Sequence, residues 1–168
     1  MAHLLREMGL DFVETAPVRL VFAREIAAPP ERVFRALAED VPGWTEWFAA
    51  VTLARPTSPT LGFARAGGPP SARGREIRLR GGTRFEETVL AAKEPEVYAY
   101  RADVTNAPGA RALVEEWRLT PAGTGTRVQW TFAADGTAAF RFTLKLARAG
   151  LGRAFRDAVT SLDRRLAA

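Results

Sequence analysis

The sequence predicts an α+β fold in which an antiparallel sheet wraps around one long C-terminal helix. Three observations lead to this prediction. A strand-like segment near the N terminus precedes two short helical segments, and a series of strand-like segments follows them. From Phe140 onward the apolar residues recur every three or four positions instead of every two. A sheet and an amphipathic helix each carry one apolar face, so packing them together buries both.

The first elements are a strand and two short helices. Side chains alternate along the segment from Val18 to Ile26, which predicts a strand. Pro30 suits the first turn of a helix, because the N–H that proline lacks would have no partner there. The segment from Asp40 to Gly43 interrupts this helix, and a second short helix carries Trp44 and Trp47. The apolar face of the first helix comprises Val33, Phe34 and Leu37.

The rest of the sheet follows from the middle of the chain. The segment from Val51 to Gly74 is rich in proline and glycine, and it predicts one short strand and mobile loops. Sequential hairpins should then join the next strands into an antiparallel sheet of seven strands in all. These strands are predicted over Arg73 to Arg80, Arg84 to Ala92, Glu96 to Val104, Ala112 to Thr120, and Thr126 to Ala134.

The last third of the chain predicts one long amphipathic helix from Phe140 to Leu166, loosened at two central glycines. Asp135 or Thr137 can cap its first turn. Phe142 and Leu146 add a second apolar stripe to its first half. We therefore expect that half to be covered on two sides.

Length and composition limit the possible chemistry. The chain of 168 residues predicts a single domain over residues 16–168, preceded by an N-terminal extension over residues 1–15. Cysteine is absent, which excludes disulfides, thiolate catalysis and cysteine-bearing metal sites. The lone histidine, His3, lies in a terminus that we expect to fray, so a histidine triad or zinc site is not predicted. We predict neither a metal nor a cofactor.

Charge and hydropathy bear on partners and location. The net charge is +5 and the pI is about 10.6, but the basic residues are nearly all arginines spread along the chain. Because no nucleic-acid motif accompanies them, we predict no nucleic-acid partner. The chain shows neither a secretory signal nor an apolar segment approaching the roughly 18 residues of a membrane span. We therefore predict a soluble, cytoplasmic protein that is a monomer or a homodimer.

The segments REIAAPPERVFRALAED, GREIRLRGGTRFEETVLAAKEPEVYAY and LTPAGTGTRVQW, with the tryptophan pair, resemble the SRPBCC or START-like superfamily of helix-grip proteins. Within it, the sequence is similar to the polyketide cyclase/dehydrase-like branch. The resemblance extends from about Val18 to Leu166 and involves apolar and turn residues, not catalytic signatures. It implies a seven-stranded sheet around the C-terminal helix, with a hydrophobic cavity of roughly 300 to 1,000 Å³ between them. In such a fold Trp44 and Trp47 would line or close the cavity mouth. The glycine- and proline-rich segment from Pro56 to Arg73, together with the short helix at Trp44, predicts a mobile gate over the entrance. Both tryptophans would equally suit a packed core.

Side-chain alternation assigns faces to the strands. A three-residue hairpin loop, Gly81 to Thr83, would place Leu79 opposite Phe85 and Arg75 diagonal to Glu87. Arg75 and Glu87 would then pair inside an apolar cavity, either to fix the hairpin or to bind a ligand. The predicted ligand-binding residues are Arg24, Trp44, Trp47, Arg75, Phe85, Glu87, Tyr98, Tyr100, Glu115, Trp117 and Trp130. Arg24 and Glu115 could instead lie near the open end, in water.

Three functions remain open. The first is binding, and by extension transport or sensing, of a small hydrophobic molecule such as a lipid or a polyketide-like metabolite. The second is a polyketide cyclase, aromatase or dehydrase that uses Glu87 as a general base, although pairing with Arg75 would lower the pKa of Glu87 and weaken it. The third is a partner-binding or dimerising protein in which Leu4, Leu5 and Met8 dock on another chain.

Overall fold

A computed structural model describes residues 1–57 and 73–168, and it confirms the α+β helix-grip fold. Its helices are α1 (Phe12–Thr15), α2 (Pro30–Ala38), α3 (Trp44–Trp47) and α4 (Ala138–Ala167). Its strands are β1 (His3–Leu4), β2 (Val18–Ile26), β3 (Val51–Thr57), β4 (Gly74–Leu79), β5 (Arg84–Lys93), β6 (Val97–Thr105), β7 (Ala110–Ala122) and β8 (Gly125–Gly136).

Seven strands form one antiparallel sheet in the order β2-β8-β7-β6-β5-β4-β3, and the short strand β1 pairs with β6. The inner face of the sheet packs on α2, α3 and α4 in one large hydrophobic core. β3 extends to Thr57, further than the apolar segment Val51–Leu53 suggested. The predicted gate over Pro56 to Arg73 falls almost wholly on residues 58–72, which lie outside the described residues.

The β4–β5 hairpin corrects the predicted register by two residues. Its loop has three residues, as expected, but these are Arg80, Gly81 and Gly82, because the Leu79 N–H donates to the Thr83 carbonyl at 2.8 Å. Both glycines have φ of +89°, in the left-handed region that glycine tolerates. Because the shift is two residues, the same side chains of both strands still face inward. Arg75, however, now lies directly opposite Glu87 instead of diagonal to it.

Helix α4 starts two residues earlier than predicted and is not interrupted. Thr137 is its cap, because the Phe140 N–H donates to the Thr137 hydroxyl at 3.2 Å. Gly152 allows the helix to approach the sheet closely, since a Cβ there would lie 3.0 Å from a ring carbon of Phe22. The last turns are tied to the start of α2, where Asp163 accepts the Ala28 N–H at 2.9 Å.

The expected second cover over α4 is wrong. Phe142 is 62% exposed and Leu146 is 69% exposed. α4 packs on β2, β8, α2 and α3, and none of these described elements covers Phe142 or Leu146. The first half of α4 therefore presents apolar side chains to solvent. None of the described helices is both long enough and apolar enough to cross a membrane.

The N-terminal extension packs on its own sheet. The Leu5 N–H donates to the Asp103 carbonyl of β6 at 2.9 Å, and the Arg6 N–H donates to the Arg111 carbonyl of β7 at 2.8 Å. This segment thus fills the gap where β6 and β7 separate, beyond their last pair. The expected fraying at His3 is wrong, because His3 pairs with Thr105.

Leu5 is buried, so it is unavailable for docking on another chain, whereas Leu4 is exposed. α1 covers the outer face of the sheet, where Phe12 and Val13 pack against Ala112, Val114 and Ala133. The division into an extension and a domain stays a prediction.

Candidate functional site

An internal cavity of about 270 Å³ lies between the inner face of the sheet and helices α3 and α4. This volume is just below the predicted range. Most of the described lining is apolar; the sheet supplies the larger part of it, and α4 supplies Phe140, Leu144, Leu151 and Ala154. Residues lining the cavity from α3, the sheet and α4 include Trp44, Ile77, Leu113, Phe132, Leu144 and Leu151.

The polar side of the cavity contains a buried ion pair. Arg75 of β4 and Glu87 of β5 are cross-strand partners, and the Arg75 Nε–H donates to a Glu87 carboxylate oxygen. Both side chains are only 3% exposed. Because burying a charge is costly, each group depends on the other to remain in this position.

The Arg75 guanidinium lies among aromatic rings. Its Cζ atom is 3.7 Å from the ring centroid of Tyr100, 4.4 Å from that of Trp44 and 5.5 Å from that of Tyr98. These cation–π contacts fix the plane of the guanidinium. Its Nη1 is buried but has no hydrogen-bond acceptor among the described residues. The site therefore contains one buried, unused donor beside an apolar cavity.

A second buried carboxylate lies beside this pair. Glu115 accepts the Tyr100 hydroxyl at 2.6 Å and the Trp130 indole N–H at 2.9 Å. The Trp117 indole N–H donates to the Tyr100 oxygen at 3.1 Å. Glu115 was predicted either to face the cavity or to lie near the open end in water, and the strands β6, β7 and β8 bury it with its two aromatic partners at the cavity wall.

Burial dominates the electrostatics of the site. Removal from water raises the pKa of Glu87 to about 7, because it outweighs the attraction of Arg75, and the nearby Glu115 raises the pKa further. Burial also raises the pKa of Glu115, against the hydrogen bond from Tyr100. The prediction that Arg75 would leave Glu87 with a lowered pKa is therefore wrong.

The tyrosine and the arginine respond in the same way. Burial, and then the charge of Glu115, hold the pKa of Tyr100 well above its ordinary value. Burial is the largest single effect on Arg75 and lowers its pKa, but the charges of Glu87, Tyr98 and Tyr100 and the hydrogen bond to Glu87 together outweigh it and keep the pKa of Arg75 above its ordinary value. Tyr100 and Arg75 thus remain protonated at neutral pH, whereas Glu87 is close to half-protonated.

The structure brings seven of the eleven predicted site residues to the cavity wall. They are Trp44, Arg75, Phe85, Glu87, Tyr100, Glu115 and Trp130. Tyr98, Trp47 and Trp117 are buried behind that wall. Trp47 packs against Trp44, with ring centroids 4.8 Å apart.

The prediction that Arg24 lines the cavity is wrong. Although it shares strand parity with Phe22 and Ile26, it is exposed and lies outside the described lining of the cavity. It is on β2, an edge strand of the seven-strand path, where a long arginine side chain can reach water.

Sequence reasoning missed several lining residues. Leu144 and Leu151 lie on the apolar stripe of α4 that was predicted to face the sheet, so their periodicity was a sufficient signal. Leu5 also lines the cavity, but no pattern in the sequence connects it with residues a hundred positions away. Among the described residues, no three His, Asp or Glu side chains are grouped as metal ligands.

Comparison with known proteins places this geometry in context. A family model described as polyketide cyclase / dehydrase and lipid transport matches residues 17–167. An uncharacterised protein of Mycobacterium tuberculosis is 28% identical over 159 residues, which cover 94% of this chain and 89% of that protein.

Solved structures share the fold at low identity. The Zhui aromatase/cyclase from Streptomyces sp. R1128 has a TM-score of 0.68 at 16% identity, covering 89% of this chain and 93% of that one. A START superfamily protein from Mycobacterium smegmatis has a TM-score of 0.63 at 12% identity, covering 88% and 96% of the two chains.

Proposed function

Since the chain belongs to the polyketide cyclase/dehydrase and lipid transport family, we propose that it binds a small hydrophobic molecule in its internal cavity. The observation that carries this proposal is the unused donor Nη1 of Arg75 beside an otherwise apolar lining. A few polar groups in an apolar pocket orient a ligand, while the apolar area supplies most of the affinity.

The surroundings of the Arg75 guanidinium limit the class of ligand that can bind. Nη1 needs an acceptor, and the rings of Trp44 and Tyr100 that enclose Arg75 favour a flat partner. We expect a molecule with an apolar body and one carbonyl or phenolic oxygen placed against Arg75. A polyketide-like aromatic metabolite meets this description, and so does a lipid with a polar oxygen at one end.

Native mass spectrometry of freshly purified protein tests the proposal. The parent should retain a small hydrophobic molecule, and Ala154→Phe should not, because residue 154 lines the cavity. The matched control is Ala23→Phe, which adds the same ring at an exposed position of β2.

A second measurement keeps the proposal testable if the ligand is lost during purification. The parent and the Ala23→Phe variant should bind the apolar dye anilinonaphthalene sulfonate more strongly than Ala154→Phe does. Equal dye binding by all three folded proteins, with no retained mass in any of them, would overturn the cavity as a binding site.

One observation favours a second candidate, a cyclase-, aromatase- or dehydrase-type enzyme. A carboxylate with a pKa of about 7 is suited to general base catalysis at neutral pH. Glu87 would remove a proton from the carbon between two carbonyl groups, and Arg75 would stabilise the enolate oxygen that forms.

Replacing Glu87 with glutamine separates the two candidates. The substitution keeps the shape and a hydrogen-bonding group but removes the base. With a poly-β-keto thioester as substrate, an enzyme should lose roughly 10² to 10⁴ in rate while still binding ligand. In a carrier, ligand affinity should barely change and no turnover should be measurable in the parent.

A further inference from the structure

The outer face of α4, from its first half into its middle, combines exposed apolar and basic side chains. We call the set Phe142, Lys145, Leu146, Arg153 and Arg156 the outer patch. Phe142 and Leu146 are four residues apart, so they lie one above the other on one side of the helix. They are 62% and 69% exposed, which is unusual for side chains of this size. The three basic residues are exposed beside them.

Every charged side chain from Ala138 to Arg156 is basic. Of the described residues, none forms an ion pair with Lys145, Arg153 or Arg156. Arg148 lies on the sheet-facing side of the helix, where its guanidinium is 5.9 Å from the ring centroid of Phe22. The exposed Asp157 follows one turn after Arg153, so the outer patch is a surface of net positive charge with two apolar side chains and one carboxylate at its end.

The opposite face of the same helix segment forms part of the cavity wall. Phe140, Leu144 and Leu151 line the cavity. Each residue of an α-helix advances by roughly 100°, which places these three side chains on the far side of the helix from Phe142 and Leu146. One helix half thus has the cavity on one face and solvent on the other.

We propose that the outer patch docks the protein on an anionic lipid bilayer. Lys and Arg are attracted by anionic headgroups, and Phe and Leu beside them can enter the boundary between headgroups and acyl chains. A second copy of the chain is a poor occupant, because a two-fold contact would bring together two faces of net positive charge. An acidic protein would satisfy the charges, but a bilayer also accommodates two apolar side chains that project from a convex helix.

Vesicle co-sedimentation of the full chain tests this proposal without any cavity ligand. Vesicles of phosphatidylcholine and phosphatidylglycerol in roughly equal parts should bind the protein, and pure phosphatidylcholine vesicles should bind it far less. Binding should weaken at high salt, because the surface charges are screened.

Two variants and one matched control test the patch itself. Lys145→Gln with Arg153→Gln and Arg156→Gln should lower partitioning by roughly 100-fold, at about fivefold for each cation. Phe142→Gln with Leu146→Gln keeps every charge and should lower it by roughly tenfold. The control replaces three exposed arginines on other elements, Arg32 of α2, Arg84 of β5 and Arg127 of β8, with glutamine, and it should bind as the parent does.

Four outcomes would overturn the proposal. The first three are the absence of binding to the anionic vesicles, an equal loss of binding in the matched control, and unchanged binding after loss of Phe142 and Leu146. The fourth is binding of the parent to soluble polyglutamate as tightly as to the vesicles, which would assign the patch to an acidic protein. All of the substituted side chains are exposed, so each variant should fold. Circular dichroism of each variant is the measurement that checks this.

Discussion

Arg75 is a single cation that interacts with two buried carboxyl groups. It donates to Glu87, and its charge also acts on Glu115. If both carboxyl groups were ionised, the buried cluster would carry net negative charge in an apolar surrounding. Burial is the main cause of the raised pKa of Glu87, and the proximity of Glu115 adds to it, because a proton retained on one of the two carboxyl groups avoids this net charge.

Glu87 should make the stability of the protein fall as pH rises from about 4.5 to 7. The folded state raises its pKa from the ordinary 4.5 to about 7, so in this range the folded state binds more protons than the unfolded chain does. The contribution of Glu87 is fully present below pH 4.5 and is lost as pH rises through 7. We expect a loss on the order of 2 to 3 kcal/mol, measured by urea unfolding across this pH range.

Glu87→Gln provides the comparison, because it should lack this loss. Glu76 and Asp135 have lowered pKa values, through hydrogen bonds from Arg78 and Arg55 for Glu76 and from the Gly136 N–H and Arg6 for Asp135. Their contributions have the opposite sign but are common to both proteins, so they cancel in the difference. Parallel pH profiles for parent and variant would show that Glu87 titrates as an ordinary carboxyl group.

Arg75→Met should destabilise the protein by about 3 to 5 kcal/mol at pH 8, because it leaves Glu87 buried without its cation. At pH 5 the cost should be smaller, since Glu87 is then protonated and needs no counter-charge. Unfolding by urea at the two pH values measures both. The control is Arg35→Met, which removes an exposed arginine paired with the exposed Glu94 and should cost less than about 1 kcal/mol. An equal cost for the two variants at pH 8 would disprove the paired-pocket interpretation.

At the scale of elements, the short strand β1 fills the gap in the sheet where β6 and β7 diverge. β6 and β7 pair up to Arg101 and Val114 and then diverge, and β1 with Leu5 occupies the gap. Leu5 thereby contributes to the cavity wall as well as to a small cluster with Ala102, Ala110, Leu113 and Ala134.

Two neighbouring leucines test this role of β1. Leu5→Ala should cost about 2 to 3 kcal/mol of unfolding free energy, because it removes a buried side chain next to an existing cavity. Leu4→Ala should change the unfolding free energy by no more than about 0.5 kcal/mol, since Leu4 is 67% exposed. Thermal or urea unfolding of both variants gives the comparison. If both variants match the parent, the segment contributes nothing to the stability of the folded domain.

At the scale of the molecule, periodicity predicted the sheet, the long helix and the inward faces, because apolar spacing directly reflects which side of an element is buried. It could not place the β4–β5 register, since Gly81 and Gly82 permit loops that differ in their first residue. Nor could it exclude Arg24 from the cavity. Side-chain alternation predicts which face of the sheet a residue lies on, but not whether it lies at the cavity or at the edge of the sheet. The position of Leu5 at the cavity wall could not be predicted at all, because it depends on where β6 and β7 separate.

The pairing of β2 with β8 has a consequence for how the chain folds during its synthesis. Val18 pairs with Ala134, so the first strand of the seven-strand path finds its neighbour only after most of the chain has left the ribosome. The hairpins joining β4 to β8 can form locally and early, whereas β2 must wait with its apolar side chains exposed. Helix α4, which the sheet encloses, is made last of all. The nascent chain should therefore depend on chaperone protection until its final third has been translated.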